Sequence, residues 1–314
     1  MRDRPDSVSA FREHSVIVFV NSAAGGGRAR VCLPRIQEVF KSLRLQAQFV
    51  MTDTASELES CVQTAILQGE QVLLAMGGDG TFQSLANASF GADVVLGILP
   101  IGGGNDFASA LGLPSEPLAA AEAMLCGQPR YVDLVRVRTA DGRTRLYAGG
   151  GGVGLDAEAA RHAGGIYRHL PGRFRYIAAA LHALARYVPM DVRVDFPASD
   201  IPSFEAKVLL AAVLNSPTYG AGVRLAPGAA VDDGLLHVVL VEELSKLGVL
   251  TLLPRLMENG ELRTSHVKRW RAQRVKLITN RPCLFHGDGE ILGPTPVEIE
   301  IVPKAVRVLA PIVR

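Results

Sequence analysis

The sequence predicts an α/β domain followed by a β-rich domain. Three observations predict it. Short apolar runs alternate with stretches of helical spacing in the first part of the chain. Glycine clusters follow three of those runs. Near residue 131 the pattern changes to apolar–polar alternation broken by turn residues.

Residues 16–20 (VIVFV) are a β-branched apolar run, which reads as a buried strand. A glycine-rich turn, Asn21 to Gly27, follows it. Leu33, Ile36, Phe40 and Leu43 then recur at helical spacing. Thr54 followed by Glu57 reads as a capping box for a helix ending near Gly69. Residues 72–76 (VLLAM) give another buried-strand signal, followed by Gly77-Gly78-Asp79-Gly80-Thr81 and a helical pattern from Phe82 to Phe90. Residues 94–100 (VVLGILP) repeat the theme, with Gly102-Gly103-Gly104-Asn105-Asp106 and a helix after them. Strands alternating with helices imply a parallel sheet. Right-handed crossovers then place all three glycine loops at its carboxyl edge.

In the second region YVDLVRVRT alternates, Asp141-Gly142 supplies a hairpin turn, and RLYAGG continues. Strand-like runs recur at 190–196, 206–214, 235–242, 274–279 and 296–302. Helical stretches near 172–188 and 245–258 interrupt them. This reads as an antiparallel domain, with the last run, VRVLAPIV, returning to the first domain. The expected boundaries are 12–137 with 304–314, and 138–303.

Composition narrows the function. At 314 residues the chain suits two domains, and 48% hydrophobic with 20% charged residues is a globular balance. A formal charge of +2 implies no bulk field for a polyanion, so nucleic acid is not an expected partner. Cys32, Cys61, Cys126 and Cys283 show no C-x-x-C spacing, which argues against a zinc site or a disulfide framework and suits a reducing cytoplasm. The polar first residues carry no apolar signal core, and no apolar run is long enough to span a bilayer. A lipid substrate would have to be met from the water side.

The glycine loops carry the first chemical signal. Glycines after a strand let backbone approach a ligand closely, and amides at the next helix N-terminus cradle phosphates. Asp79 inside such a cradle has two readings. It is an N-cap in a plain strand-to-helix turn, or an indirect ligand of a Mg-nucleotide. Three such loops at one sheet edge could surround one nucleotide. The first loop lacks the Lys-Ser or Lys-Thr of a Walker A, and Arg30 replaces the last glycine of a G-x-G-x-x-G. Further on, Asp232-Asp233-Gly234-Leu235 and Gly287-Asp288-Gly289-Glu290 place carboxylates beside glycine in the β-rich region. Each is an ordinary turn by itself. Together with Asp79 they supply what phosphoryl transfer needs, a metal-linked carboxylate and a base.

In that order, Asn21 to Gly27, Gly77 to Thr81, Ile98 to Ala108, Gly152 to Ala157, Asn215, Leu225 to Leu235 and Asp288 to Glu290 resemble the diacylglycerol kinase catalytic family. That family includes soluble bacterial diacylglycerol kinases, YegS-like lipid kinases and sphingosine kinases. NAD kinases share the GGDGT motif and the fold. The resemblance implies a three-layer, NAD kinase-like α/β nucleotide-binding domain and a β-sandwich-like lipid-binding domain. It implies an enzyme that uses ATP and Mg²⁺ to phosphorylate a lipid hydroxyl in phospholipid metabolism. Asn21, Ser22, Ala23, Ala24, Gly25, Thr52, Gly77, Gly78, Asp79, Gly80, Thr81, Phe82, Gln83, Ser84, Gly103, Asn105 and Asp106 would line the ATP site. Asp233, with the carbonyls of Ala230 and Leu235, would hold Mg²⁺. Glu290 would accept the proton of the lipid hydroxyl, and Asp79 would serve catalysis beside it. The chain departs from the family at Gln83-Ser84, where Asn-Glu is usual, at Gly103 for threonine, and at Ser22 for proline. Two alternatives stay open: an NAD kinase-like phosphotransferase, and a lipid- or nucleotide-binding regulator without turnover. The expected location is the cytoplasm, with transient contact at the inner face of the membrane. Whether the chain is a homodimer is not written in the sequence.

The seven histidines show no metal spacing. Two basic stretches, Arg161 to Arg175 and Arg263 to Lys276 with Trp270, read either as solvated faces or as contacts to anionic headgroups.

Overall fold

The computed structural model describes residues 15–167, 170, 172–220, 222–245, 248 and 266–312. The chain divides into two compact units, residues 1–132 with 304–314 and residues 133–303.

The first unit is built on parallel strands. β1 (Val16–Asn21) pairs with β2 (Ala47–Thr52) on one side and β3 (Val72–Gly77) on the other, and β3 pairs with β4 (Val95–Pro100). The end of β15 (Val297–Ala310) joins β4 in parallel, through Arg307 and Val308. β3 and β4 are buried along their whole length and β1 nearly so. That is why they read as unbroken apolar runs rather than alternation. Five helices connect the strands: α1 (Arg28–Ser42), α2 (Ala55–Leu67), α3 (Asp79–Ser89), α4 (Asp106–Ala110) and α5 (Pro117–Leu125). At α2 the Thr54 hydroxyl accepts from the Glu57 amide at 3.1 Å. The Glu57 carboxylate reaches one residue past the cap to the Asp53 amide, at 2.8 Å. Gly69, at φ +86°, closes the end of that segment as a left-handed residue. A core of Phe19, Phe40, Leu74, Met76, Phe82 and Phe107 sits between sheet and helices, all essentially inaccessible.

The second unit is antiparallel. β7 (Gly150–Gly154), β8 (Met190–Asp195), β10 (Leu236–Glu242) and β9 (Phe204–Leu214) form its centre, with β9 pairing with each of the other three. β11 (Val267–Ala272) adds to β10, and β12 (Arg274–Thr279) links β8 to β15. β13 (Leu284–Gly287) pairs with β7 and forms a hairpin with β14 (Glu290–Pro294). β5 (Gln128–Arg138), which crosses from one unit to the other, makes a hairpin with β6 (Thr144–Tyr147). Helices α6 (Leu155–Gly164) and α7 (Gly172–Arg186) pack on each other. The helix expected near 245–258 lies almost entirely outside the described residues. Two alternating faces bury Val192, Val194, Val213, Val238, Leu240 and Leu277 in one core.

Of the two basic stretches, the arginine side chains of the first, Arg161 to Arg175, lie outside the described residues. In the second, β11 and β12 are ladder strands, and Trp270 lies against Phe196 and Phe204 at ring distances of 5.6 and 5.0 Å. Lys268 meets Glu242, Arg274 meets Glu300, and Lys276 meets Glu298. Its tryptophan belongs to a core, and these cations face carboxylates.

Candidate functional site

In the first unit the three glycine loops follow the carboxyl ends of β1, β3 and β4. These strands are neighbours in the sheet, so the loops lie side by side. They also interlock. A Cβ on Gly25 would lie 2.3 Å from the Ile101 carbonyl oxygen, and one on Gly102 would lie 2.7 Å from the Gly78 Cα. Those glycines are therefore required by loop-on-loop packing, quite apart from any ligand. The Asn21 side-chain amide donates to the Thr81 hydroxyl at 3.1 Å, tying the first loop to the second.

Asp79 is the first residue of α3, whose N-cap is Gly78. Its carboxylate turns away from its own helix and accepts the amides of Asp106 and Phe107, both at 3.1 Å. Asp79 thus caps α4, on the neighbouring loop. Acceptors close two other helix starts in this unit, Thr54 at α2 and Glu116 at α5. The helices α1 and α3 begin at Gly27 and Gly78, which offer no side-chain acceptor. Each of these two helix starts follows a glycine loop and leaves its first-turn amides without a cap from its own N-cap residue. Such a helix end is a ready anion site.

The expected nucleotide residues fall into two groups. Ser22, Thr52, Gly77, Thr81, Phe82 and Gln83 are buried. The Ser22 hydroxyl bonds the Asp53 carboxylate, the Thr52 hydroxyl bonds the Val20 carbonyl, and Phe82 stacks on Phe107 at 4.5 Å. These side chains hold the loops up. Asn21, Ala24, Gly25, Gly78, Asp79, Gly80, Ser84, Gly103, Asn105 and Asp106 are half-buried, and Ala23 is exposed. Asn105 stands at φ +59° and donates to the Gly102 carbonyl at 2.9 Å. Its own side-chain oxygen is buried with no hydrogen-bond partner among the described residues. A buried acceptor left over in a loop cluster calls for a donor from outside the chain, and the hydroxyl and amino groups of a nucleoside are such donors.

In the second unit the turn Asp288-Gly289 has both central residues at positive φ, +50° and +86°, as a type I′ hairpin requires. The Asp288 carboxylate accepts three consecutive amides, Ala148 at 2.7 Å, Gly149 at 2.9 Å and Gly150 at 3.0 Å. The residue is half-buried as a whole, while its carboxyl group is the enclosed part. Burial raises that carboxyl to about 6, against the opposing pull of the three amides and His286. Beneath it the Tyr147 phenol, donating to the Val213 carbonyl at 3.0 Å, is pushed well above its ordinary value by burial and by the Asp288 charge. Glu290 starts β14, directly after the turn, and is exposed.

The loop 230–235 gathers the expected metal residues. Asp233 accepts the Leu235 amide at 2.9 Å and the Ala230 amide at 3.2 Å, and pairs with His237 Nε2 at 2.9 Å. The Asp233 carboxylate and the Ala230 and Leu235 carbonyls are hard oxygen donors drawn from one exposed turn. That donor set fits a Mg²⁺ that keeps several waters. It does not fit a transition-metal cage, and no cluster of three His, Cys, Asp or Glu side chains occurs among the described residues.

Two residues behind these loops carry no role in the sequence reading. Asp133 is buried, accepts the Gly234 amide at 2.7 Å, and donates its own amide to the Val231 carbonyl at 2.7 Å. It fixes the turn that presents Asp233. The available signal was an acid inside the run Tyr131 to Val137. His237, at an inward position of β10, is the other. Asn215, singled out only by resemblance, donates to the Asp133 and Ala148 carbonyls at 3.1 and 2.9 Å. It joins the support of Asp233 to the tripeptide that wraps Asp288.

Residues 15–137 match the model of the diacylglycerol kinase catalytic domain, and residues 151–310 match that of the YegS C-terminal NAD kinase beta sandwich-like domain. A "Diacylglycerol kinase" of Mycobacterium tuberculosis (strain ATCC 25618 / H37Rv) is 28% identical over 309 residues, 97% of this chain and 99% of that protein. A "Probable lipid kinase YegS-like" of Stenotrophomonas maltophilia (strain K279a) is 31% identical over 276 residues, 85% of this chain and 87% of that protein. Among solved structures, a diacylglycerol kinase from Bacillus anthracis str. Sterne has a TM-score of 0.71 at 17% identity, covering 95% of this chain and 97% of that one, a likeness of fold. With both domain models matched in order along one chain, this protein belongs to the family of diacylglycerol kinases and YegS-like lipid kinases.

Proposed function

We propose that this chain transfers the γ-phosphoryl of ATP to the hydroxyl of a lipid, diacylglycerol or a close relative, in phospholipid metabolism. The observation that carries the reading is the pair of helix starts at Gly27 and Gly78, without side-chain caps, beside glycine loops that lock onto one another. Amides held there meet phosphate oxygens without reorganising. Asp79 closes the third helix start, so phosphates are directed to α1 and α3 rather than α4. Asn105 Oδ1 is an acceptor for the nucleoside.

Asp233 and the carbonyls of Ala230 and Leu235 would hold Mg²⁺. When bound, that ion supplies neutralising charge for the phosphates. Glu290 takes the proton of the lipid hydroxyl as its oxygen attacks the γ-phosphorus. The bond from that phosphorus to the bridging oxygen breaks, and ADP leaves with the electron pair. Asp288, wrapped by three amides, holds the turn from which Glu290 projects. The lipid is met at a membrane surface from the cytoplasmic side.

The test is an ATP phosphoryl-transfer assay with diacylglycerol, phosphatidylglycerol, a sphingoid base and NAD as acceptors. Phosphorylation of a lipid acceptor that depends on ATP and Mg²⁺ is expected. Phosphorylation of NAD alone would move the assignment to the dinucleotide, and no turnover with any acceptor would leave a binding protein.

A further inference from the structure

Tyr219 and His286 form a buried titratable pair that the chemistry above does not use. Tyr219 lies on the loop that leaves β9 at Asn215 and ends in the turn of Asp233. His286 lies on β13, two residues before Asp288. Both residues are buried. The Tyr219 hydroxyl and His286 Nε2 are 2.5 Å apart, and the two rings stack at 5.7 Å. Polar groups taken out of water are costly unless they meet partners, so a paired one specifies where its two segments sit.

The neighbouring strand makes room for the pair. His286 pairs with Gly152 of β7, and Gly287 with Gly151. A Cβ on Gly150 would lie 2.7 Å from Tyr219 Cδ2. The Tyr219 loop is braced from its other side. Tyr219 and Val223 exchange backbone hydrogen bonds of 2.8 and 3.0 Å, and the Ala226 amide reaches the Pro217 carbonyl at 3.3 Å. Tyr219, Leu225, Ala226 and Ala229 then pack in one cluster with Leu214 and Val239. The Tyr219–His286 contact therefore joins the loop that carries Asp233 to the hairpin that carries Glu290.

His286 also acts on Asp288. Its positive charge favours the ionised carboxyl, against the burial that raises that group to about 6. The Tyr219 oxygen can accept the Nε2 proton, which supports the charged imidazole. Only the ionised carboxyl can accept all three amides of residues 148–150, because a proton on either oxygen sets one donor against another. The other titratable groups around Asp288 are Tyr147 on β6, whose phenol donates to the Val213 carbonyl, and Glu290 just past the turn. Strand β7 carries no titratable side chain, and β9 behind it is apolar from Val208 to Leu214. Helix α6 packs on β13 and β14, and its described side chains include Glu158 and His162.

We infer that Tyr219 and His286 are positioning residues for phosphoryl transfer, a buried clasp that sets the Glu290 hairpin against the Asp233 loop and keeps the Asp288 turn closed. Its effect on turnover rests on the lipid-kinase reading, whereas the clasp itself does not.

Carbon-13 NMR of labelled aspartate carboxyls, on the full chain without nucleotide, follows Asp288 against pH. Its signal is assigned by its loss in Asp288→Asn. His286→Gln keeps a hydrogen-bonding group and removes the charge. Removing a positive charge that favours the carboxylate raises its pKa, so the Asp288 titration should move to higher pH. Tyr219→Phe keeps the ring and removes the acceptor of the imidazole proton, so a smaller move in the same direction is expected. It is the milder change, and it carries the test if His286→Gln fails to fold. Wild-type kcat should fall on the acid side as Asp288 takes up its proton. From a wild-type value of about 6, an upward move of about one pH unit lowers kcat about fivefold at pH 6 and little at pH 8. ATP affinity should be unchanged at both. An Asp288 titration that stays in place in the folded variants would overturn the clasp. So would a loss of kcat by the same factor at every pH, the mark of a merely structural pair. A titration that moves in a protein that phosphorylates no acceptor would sink the kinase reading and leave the clasp standing.

Discussion

Asp79 and Asp288 are both aspartates beside glycine in a turn, one in each unit, and they do comparable work by different means. Asp79 sits where a parallel strand feeds a helix, and its carboxylate caps the start of a neighbouring helix through two amides. Asp288 sits in a two-residue hairpin turn, and its carboxylate gathers three amides of the passing strand. Burial raises the Asp288 carboxyl to about 6. In both cases the acid fixes a loop, and the residues that loop presents are the ones available for chemistry. A carboxylate in a glycine motif is thus first a clamp on backbone amides.

The comparison can be broken most severely at Asp288. Its folded-state pKa, about 6, lies above the reference value of 3.8, so folding favours the protonated acid. That contribution is complete below about pH 4 and is lost as pH rises through about 6, a change on the order of 3 kcal/mol. Asp288→Asn is neutral at every pH. It should be the less stable protein near pH 4, because its amide group faces one of the three backbone amides, and the gap should shrink steadily toward pH 7. Urea unfolding of both proteins across that range measures it. Parallel stability curves would mean that Asp288 is ionised throughout.

A smaller effect is expected at Asp79. Asp79→Asn keeps one acceptor for α4 and turns a donor toward the other amide, at a cost of about 1–2 kcal/mol. The protein should stay folded. Turnover with ATP should fall on the order of tenfold or more, because the glycine loops lose their register. Thermal midpoint and steady-state kinetics together check this. Near-normal turnover in the folded variant would make Asp79 a cap and nothing more.

The parallel strands of the first unit were legible because both faces are covered, so VIVFV, VLLAM and VVLGILP carry no polar interruption. The Thr54–Glu57 cap was legible because its geometry is local. β7 was not. Its sequence, GGGVG, has the composition of a loop, yet it is an interior strand between β13 and β9. A Cβ on Gly151 would lie 2.5 Å from the His286 carbonyl oxygen, and one on Gly150 would meet Leu214 and Tyr219 at 2.7 Å. Glycine there serves close approach by distant residues, which no local pattern reports. β11 was read as a basic stretch for a similar reason. Its Trp270 is a partner of Phe196 and Phe204, brought near only by the sheet. At the site, the glycine loops and acidic turns could be read. The roles of the supports could not: Asp133 and Asn215 act on backbone far away in the sequence, and His237 meets the Asp233 carboxylate four residues before it, across a turn that no local pattern marks.

The central claim is that Glu290 is the base. A lipid hydroxyl is a poor nucleophile at neutral pH, so its proton must leave as it attacks. Glu290→Gln keeps the side chain's size, and its exposed position at the start of β14 makes a folding defect unexpected. Steady-state kinetics with a competent lipid, together with an ATP titration of the same variant, is the most direct measurement. The account predicts a fall in kcat on the order of 10²–10⁴-fold, with ATP affinity unchanged. A kcat within about twofold of wild type, the size of an ordinary surface change, would contradict it.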